Sequence, residues 1–229
     1  MKDHSIYVDQ DRYDTSIVDK YLDTVTVNTS TQFYKNTFPS GIIFTKSDSY
    51  TSDDQVGKLT REFNIHYRSC IVSLVDFLST RVDLSFSVQK LANFSSNPGK
   101  VHFEGLVHLL SYIKDNNTLG LKYYADMKYS PLSDLLRQSN IKTENQLMVF
   151  YDSSWQDCSD TGRSTVAYII FYQCGTIDHF THVPGPFDQS SAKSEYNAAC
   201  TAVMDLAHFN MLIHELLNKD PDIVPDKGQ

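Results

Sequence analysis

Three short apolar segments followed by one long helical segment constrain the fold more than any other feature of the chain. The segments LMVFYDSSW (147–155), STVAYIIFY (164–172) and TIDHFTHV (176–183) are rich in β-branched and aromatic residues, and turn residues separate them. A helix is predicted from Ala192 to about Leu217, since apolar residues recur at helical spacing: Ala199, Val203, Leu206, Met211 and Leu216. Adjacent strands followed by a helix predict a mixed α/β fold.

The chain before residue 146 has a different pattern, which predicts a mainly helical region. A short strand and an amphipathic helix are expected within residues 5–22, a polar extended connection over 23–54, and another short strand within 119–126. Three more helices are predicted by apolar stripes at Tyr67, Ile71, Leu74, Val75 and Leu78, then Leu84, Val88 and Leu91, then Val101, Leu106, Leu109, Leu110 and Ile113. We therefore predict two domains, residues 1–145 and 146–229.

The formal charge is distributed unevenly between these two predicted domains. Residues 1–145 carry 16 Lys and Arg against 17 Asp and Glu, whereas residues 146–229 carry 4 against 11, which accounts for −7 of the net −8. A surface that binds nucleic acid concentrates basic residues. The second domain alone is therefore a poor candidate for binding nucleic acid.

The composition also indicates the class of protein. The 41% hydrophobic content is sufficient for a buried core. No apolar stretch approaches the roughly 18 residues of a membrane span, and the N-terminus lacks the apolar segment of a signal peptide, so we expect a soluble intracellular protein. The cysteines, Cys70, Cys158, Cys174 and Cys200, show no C-x-x-C spacing, and free thiols are expected.

Two carboxylates occupy positions that suit a metal site. Asp152 falls near the end of the first predicted strand of the second domain, and Glu195 falls in the first turns of its long helix. Cleavage of a phosphodiester by two divalent ions needs several carboxylates that converge from separate elements. The spacing alone leaves other roles open: Asp152 as a turn residue, and Glu195 as a charge that complements the helix macrodipole.

An ordered series of short motifs runs through most of the chain. They are YRS at 67–69, TRVDLSF at 80–86, NP at 97–98, HFEG at 102–105 and LSYIK at 110–114, followed by YDSSW at 151–155, GRSTVAY at 162–168 and SSAKSEY at 190–196. Motifs of these kinds, in this order, are typical of the region after the reverse transcriptase palm and of the ribonuclease H domain in one group of mobile elements. The chain thus resembles the C-terminal part of a copia-type LTR retrotransposon Pol polyprotein.

This resemblance implies a ribonuclease H-like second domain, truncated before its fourth strand, after a thumb or connection-like region without a palm. It implies Asp152 and Glu195 as catalytic ligands of Mg²⁺ or Mn²⁺, and RNA–DNA hybrid as the substrate. In the first domain it places Arg68, Arg81 and Lys100 beside nucleic acid, although ordinary solvated side chains are the alternative. The implied partner is the remainder of a Pol polyprotein, in a cytoplasmic virus-like particle or the nucleus, with no membrane.

Departures from the family pattern predict that the isolated chain cleaves little or no hybrid. The family's third carboxylate lies on a strand after the long helix, and we expect the chain to lack it. Ser154 replaces the second aspartate of the Asp-x-Asp pair, and Lys193 replaces the first glutamate of Glu-x-Glu. A non-catalytic module that binds nucleic acid or protein, or a relic without selected function, are the alternatives. No polymerase activity is expected.

A zinc site is the remaining metal hypothesis. His179 and His182 lie three residues apart, with Cys174 and Asp178 nearby. Residues three apart on a strand point to opposite faces, so the two imidazoles are not expected to converge.

Overall fold

A computed structural model describes residues 5–22, 34–130, 132–138, 147–172, 175–185 and 188–219, and its fold is the predicted mixture of helices and strands. The chain divides into two compact units. The helical unit comprises Ile6–Lys122 and Cys158–Gly162, and the sheet unit comprises Met1–Ser5, Tyr123–Asp157 and Arg163–Gln229. The predicted boundary between residues 145 and 146 falls outside the described residues and stays a prediction.

Four of the five α-helices described in the helical unit form where the sequence predicts them. The helix over Asp53–Phe63 was not predicted, and its first two residues lie in the connection that was expected to be extended. The described residues of the helical unit form α1 (Asp11–Tyr21), α2 (Asp53–Phe63), α3 (Tyr67–Phe77), α4 (Ser85–Ala92) and α5 (Lys100–Asp115). Ten of the 16 residues of α5 are buried, which makes it the central helix of this unit. The stripe predicted for α3 is wrong at Val75, which is 49% exposed.

Strands β1 (Ser5–Val8) and β2 (Leu121–Tyr124) pair in a two-stranded sheet, which confirms both predicted short strands. A short helix, α6 (Leu132–Gln138), follows. No helix among the described residues combines the length and apolar character that crossing a membrane requires.

The three strand segments of the sheet unit form one antiparallel sheet. Its strands are β3 (Leu147–Ser154), β4 (Thr165–Tyr172) and β5 (Gly175–His182), in the spatial order β3-β4-β5. Residues directly opposite each other in an antiparallel pair have side chains on the same face. The buried alternate residues of β4 therefore define the core face of this sheet: Val166, Tyr168 and Ile170.

Helix α7 (Ser191–Lys219) packs against this core face. Its buried positions are Ser194, Ala198 and Ala202, with Leu206 and Phe209 partly buried against the same cluster. The stripe predicted from the sequence is therefore wrong for Val203, Met211 and Leu216, which are at least half exposed. Small residues at helical spacing let the helix approach the sheet closely, and they carry a weaker hydrophobic signal than the large residues that remain exposed.

Candidate functional site

Asp152 lies near the C-terminal end of strand β3. It is exposed, and it pairs in register with Ala167, whereas its neighbours Tyr151 and Ser153 pair with Tyr168 and Val166 on the core face. Since side chains alternate along a strand, Asp152 points away from the face that α7 covers.

Glu195 lies in the second turn of α7, where it is exposed. Ser190 caps this helix, because its Oγ accepts a hydrogen bond from the Lys193 N–H at 3.2 Å. Lys193 is thus the third helical residue, and it places a cation at the positive end of the helix macrodipole.

The described residues do not fit a two-metal centre. They contain no group of three or more His, Cys, Asp or Glu side chains arranged to hold a metal ion. Two divalent ions need several anionic ligands, and Ser154 contributes no charge beside Asp152. The assignment of Asp152 and Glu195 as metal ligands stays a prediction.

A buried polar junction, which sequence reasoning missed, lies between β3 and the start of α7. Asp188 is fully buried; its Oδ1 accepts a hydrogen bond from Asn197 Nδ2 at 2.6 Å, and its carbonyl oxygen accepts one from Trp155 Nε1 at 3.3 Å. Among the described residues its other carboxylate oxygen has no hydrogen-bond partner, and neither has the hydroxyl of Ser153 or Ser194. Ser153 directly follows Asp152 in the sequence and Ser194 directly precedes Glu195, so a buried serine hydroxyl adjoins each predicted ligand.

A tyrosine on the core face joins β4 to two carboxylates. The Tyr168 hydroxyl lies 2.7 Å from Asp205 Oδ2 on α7 and 3.2 Å from Asp178 Oδ2 on β5. Burial, followed by the hydrogen bond to Asp205 and the charge of Asp178, raises the pKa of Tyr168 far above its ordinary value. The hydroxyl therefore keeps its single proton and donates it to one carboxylate at a time.

Two of the three basic residues predicted to contact nucleic acid lie on the surface of the helical unit. Arg68, at the start of α3, is exposed. Lys100, at the start of α5, is 54% exposed and lies 3.6 Å from Glu62 Oε1 on α2. An exposed ion pair of this kind contributes little to stability, so the ammonium group can exchange this partner for a phosphate.

The structure corrects the prediction for the third basic residue. Arg81 is 1% exposed, and its guanidinium lies 3.2 Å from Asp14 Oδ2 and 3.0 Å from Asp83 Oδ2. The Tyr112 hydroxyl also donates to Asp83. A guanidinium inside the fold with two carboxylate partners is a structural group, and we leave Arg81 out of any proposed interface.

The two histidines of the zinc hypothesis lie on opposite faces of the sheet, as predicted. His179 pairs with Ile169, and His182 pairs with Val166, which belongs to the core face. Cys174 lies outside the described residues. Nothing among the described residues brings these groups together as a metal site.

Comparison with known proteins gives sequence relatives but no match to any family model or solved structure. An uncharacterized mitochondrial protein of Arabidopsis thaliana is 25% identical over 140 residues, which is 61% of this chain and 52% of that protein. A second uncharacterized mitochondrial protein of that plant is 35% identical over 89 residues, 39% of this chain and 66% of the relative.

The third relative comes from a transposon. It is the retrovirus-related Pol polyprotein from transposon RE1 of Arabidopsis thaliana, 24% identical over 163 residues, which is 70% of this chain and 10% of the polyprotein. The chain thus spans about half the length of the first relative and a tenth of the polyprotein. Together with the ordered motifs, these matches support the interpretation of the chain as a fragment similar to copia-type retrotransposon Pol polyproteins.

Proposed function

We propose that this Pol-related chain binds RNA–DNA hybrid without cutting it. One observation supports the proposal: β3 with Asp152 and α7 with Glu195 follow the order of a ribonuclease H domain, yet the described residues contain no group of three or more His, Cys, Asp or Glu side chains that could hold a metal ion. Binding needs surface cations, and cleavage needs a complete set of metal ligands.

The proposed contact surface belongs to the helical unit. Arg68 and Lys100 are exposed there, at the N-terminal ends of α3 and α5. Backbone N–H groups and the macrodipole at a helix N-terminus also favour phosphate. Because the whole chain carries a formal charge of −8, the affinity is expected to be low and to fall steeply with salt.

The test measures binding and cleavage of one labelled RNA–DNA hybrid by the full chain, with magnesium present. We expect binding that weakens with rising salt, no cleavage, and weaker binding by Arg68→Gln and Lys100→Gln, each reducing the slope of log affinity against log salt by about one. Lys128→Gln is the matched control, because Lys128 is 57% exposed and also ion-paired but belongs to the sheet unit. Equal effects of all three substitutions would refute the proposed surface.

A metal-dependent ribonuclease is the second candidate, since the sequence resemblance implies Asp152 and Glu195 as metal ligands. Cleavage of the RNA strand that requires magnesium and is lost in both Asp152→Asn and Glu195→Gln would establish that activity. The same result would refute the binding-only function.

A further inference from the structure

Helix α7 has a second apolar face, opposite the face that packs on the sheet. Its members follow one another at intervals of four, three, one, three and four residues: Tyr196, Cys200, Val203, Met204, Ala207 and Met211. We call this set the outer stripe. Tyr196 is 68% exposed, Val203 55%, and both Met204 and Met211 72%.

The outer stripe is a continuous exposed apolar surface on α7. Single exposed apolar residues are normal on soluble proteins, but a continuous apolar face on a helix already packed on its other side indicates a second contact. The outer stripe spans 15 residue steps, or about 22 Å along the helix.

We propose that the outer stripe binds the same stripe of a second copy of this chain, with the two α7 helices antiparallel. In this arrangement Tyr196 faces Met211 of the second copy, Cys200 faces Ala207, and Val203 faces Met204. Each residue of the stripe thus finds an apolar partner through the two-fold symmetry of an isologous interface.

Charge supports the antiparallel register. Lys193 and Glu215 are both exposed and lie near opposite ends of the outer stripe, on the same flank of the helix. A two-fold axis perpendicular to the plane of both helices preserves that flank, so Lys193 of each copy lies beside Glu215 of the other. Antiparallel macrodipoles are also favourable, whereas a parallel pair would place like charges together.

The dimer is expected to be weak and to strengthen with salt. A stripe about 22 Å long on a helix about 10 Å wide offers each copy much less than the roughly 800 Å² of a standard interface. Residues 146–229 carry a net charge of −7 in each copy, which opposes association until salt screens it. Binding to nucleic acid has the opposite salt dependence.

Sedimentation equilibrium of the full chain over a range of concentrations and NaCl tests the proposal. We expect a monomer–dimer equilibrium whose dissociation constant falls as NaCl rises. Met204→Glu should raise that constant at least about tenfold, which is a change of about 1.4 kcal/mol. Val72→Glu is the matched control, because Val72 is 60% exposed on α3, and it should leave the constant unchanged.

A charge exchange tests the register without touching the apolar residues. Lys193→Glu should weaken the dimer, and the double variant Lys193→Glu, Glu215→Lys should restore it. Both side chains are exposed, so circular dichroism should show both variants folded.

A chain that stays monomeric at every concentration and salt, or a dimer that Met204→Glu leaves intact, overturns the proposal. A monomer whose stripe binds a hydrophobic dye, with the signal lost in Met204→Glu, also overturns it and assigns the face to another protein.

Discussion

The guanidinium of Arg81 lies 3.2 Å from the Asp14 carboxylate, and both side chains are only 1% exposed. Arg81 follows α3 and Asp14 lies in α1, so one buried ion pair joins two segments that are 67 residues apart. Its Nε and Nη2 each donate to Asp83 at 3.0 Å. The guanidinium is therefore an internal crosslink of the helical unit.

Replacing Arg81 by alanine should destabilise the helical unit by roughly 3–5 kcal/mol, because the substitution leaves the Asp14 carboxylate buried without a counter-ion. The free energy of unfolding in urea measures this loss. Lys100→Ala, which removes an exposed ion pair, should change it by no more than about 1 kcal/mol. Equal losses in both variants would show that the buried ion pair contributes no more to the free energy of unfolding than the exposed one.

The same pair predicts a pH dependence of stability. Burial raises the pKa of Asp14 to about 6 against the opposing effect of Arg81, from an ordinary value of 3.8. The folded state therefore binds this proton more tightly than the unfolded chain. The resulting stabilisation is complete below about pH 4 and is lost as the pH rises through about 6.

Thermal unfolding of the wild type and of Asp14→Asn between pH 4 and pH 8 isolates this contribution from the other carboxylates. We expect the stability of the wild type relative to the variant to fall by on the order of 2–3 kcal/mol as the pH rises across this range. Parallel pH profiles for the two proteins would contradict the raised pKa of Asp14.

Much of the helical unit could be predicted, because large apolar residues recur at helical spacing along its helices and most of them are buried in one core cluster. Residue type alone does not reveal burial for an arginine. The motif around Arg81 indicated a contact with nucleic acid, whereas Asp14, far away in the sequence, supplies the partner that keeps it inside the fold.

The elements that carry the two candidate residues were predictable to a similar degree, whereas the metal site itself stays a prediction. The sequence placed Asp152 near the end of a strand and Glu195 in the first turns of a helix, and both positions hold. The sequence placed Leu206 correctly on the packed face of α7 but also assigned Val203, Met211 and Leu216 to it, because the small buried residues Ala198 and Ala202 carry a weaker hydrophobic signal than these exposed ones. Asp188 carried no spacing signal, since its two partners are Trp155, directly after β3, and Asn197, about two turns into α7.

Replacing two glycines of the helical unit by alanine should change its stability in opposite directions. A Cβ at Gly99, in the NPGK turn before α5, would lie 1.7 Å from the backbone oxygen of Asp48, whereas a Cβ at Gly57 in α2 meets nothing within 4 Å. Gly99→Ala should therefore destabilise the unit by about 1–3 kcal/mol or more, and Gly57→Ala should stabilise it by roughly 0.5–1 kcal/mol. Urea unfolding of both variants checks the signs. Destabilisation by both would mean that Gly57 has a role beyond helix propensity.

Removing the buried charge at the start of α7 should stabilise the sheet unit. Asp188→Asn keeps the oxygen that accepts from Asn197 and replaces the unpartnered carboxylate oxygen by a neutral amide, which is less costly to bury than a charge. A buried carboxylate oxygen without a partner costs about 1–3 kcal/mol, so we expect a gain in the free energy of unfolding of that order. Asp157→Asn is the matched comparison, because the Asp157 carboxylate accepts hydrogen bonds from both the backbone N–H and the hydroxyl of Thr165, and its loss should destabilise the protein. If Asp188→Asn also destabilised it, the carboxylate would have to be stabilised by a positive charge or a bound cation at the β3–α7 junction.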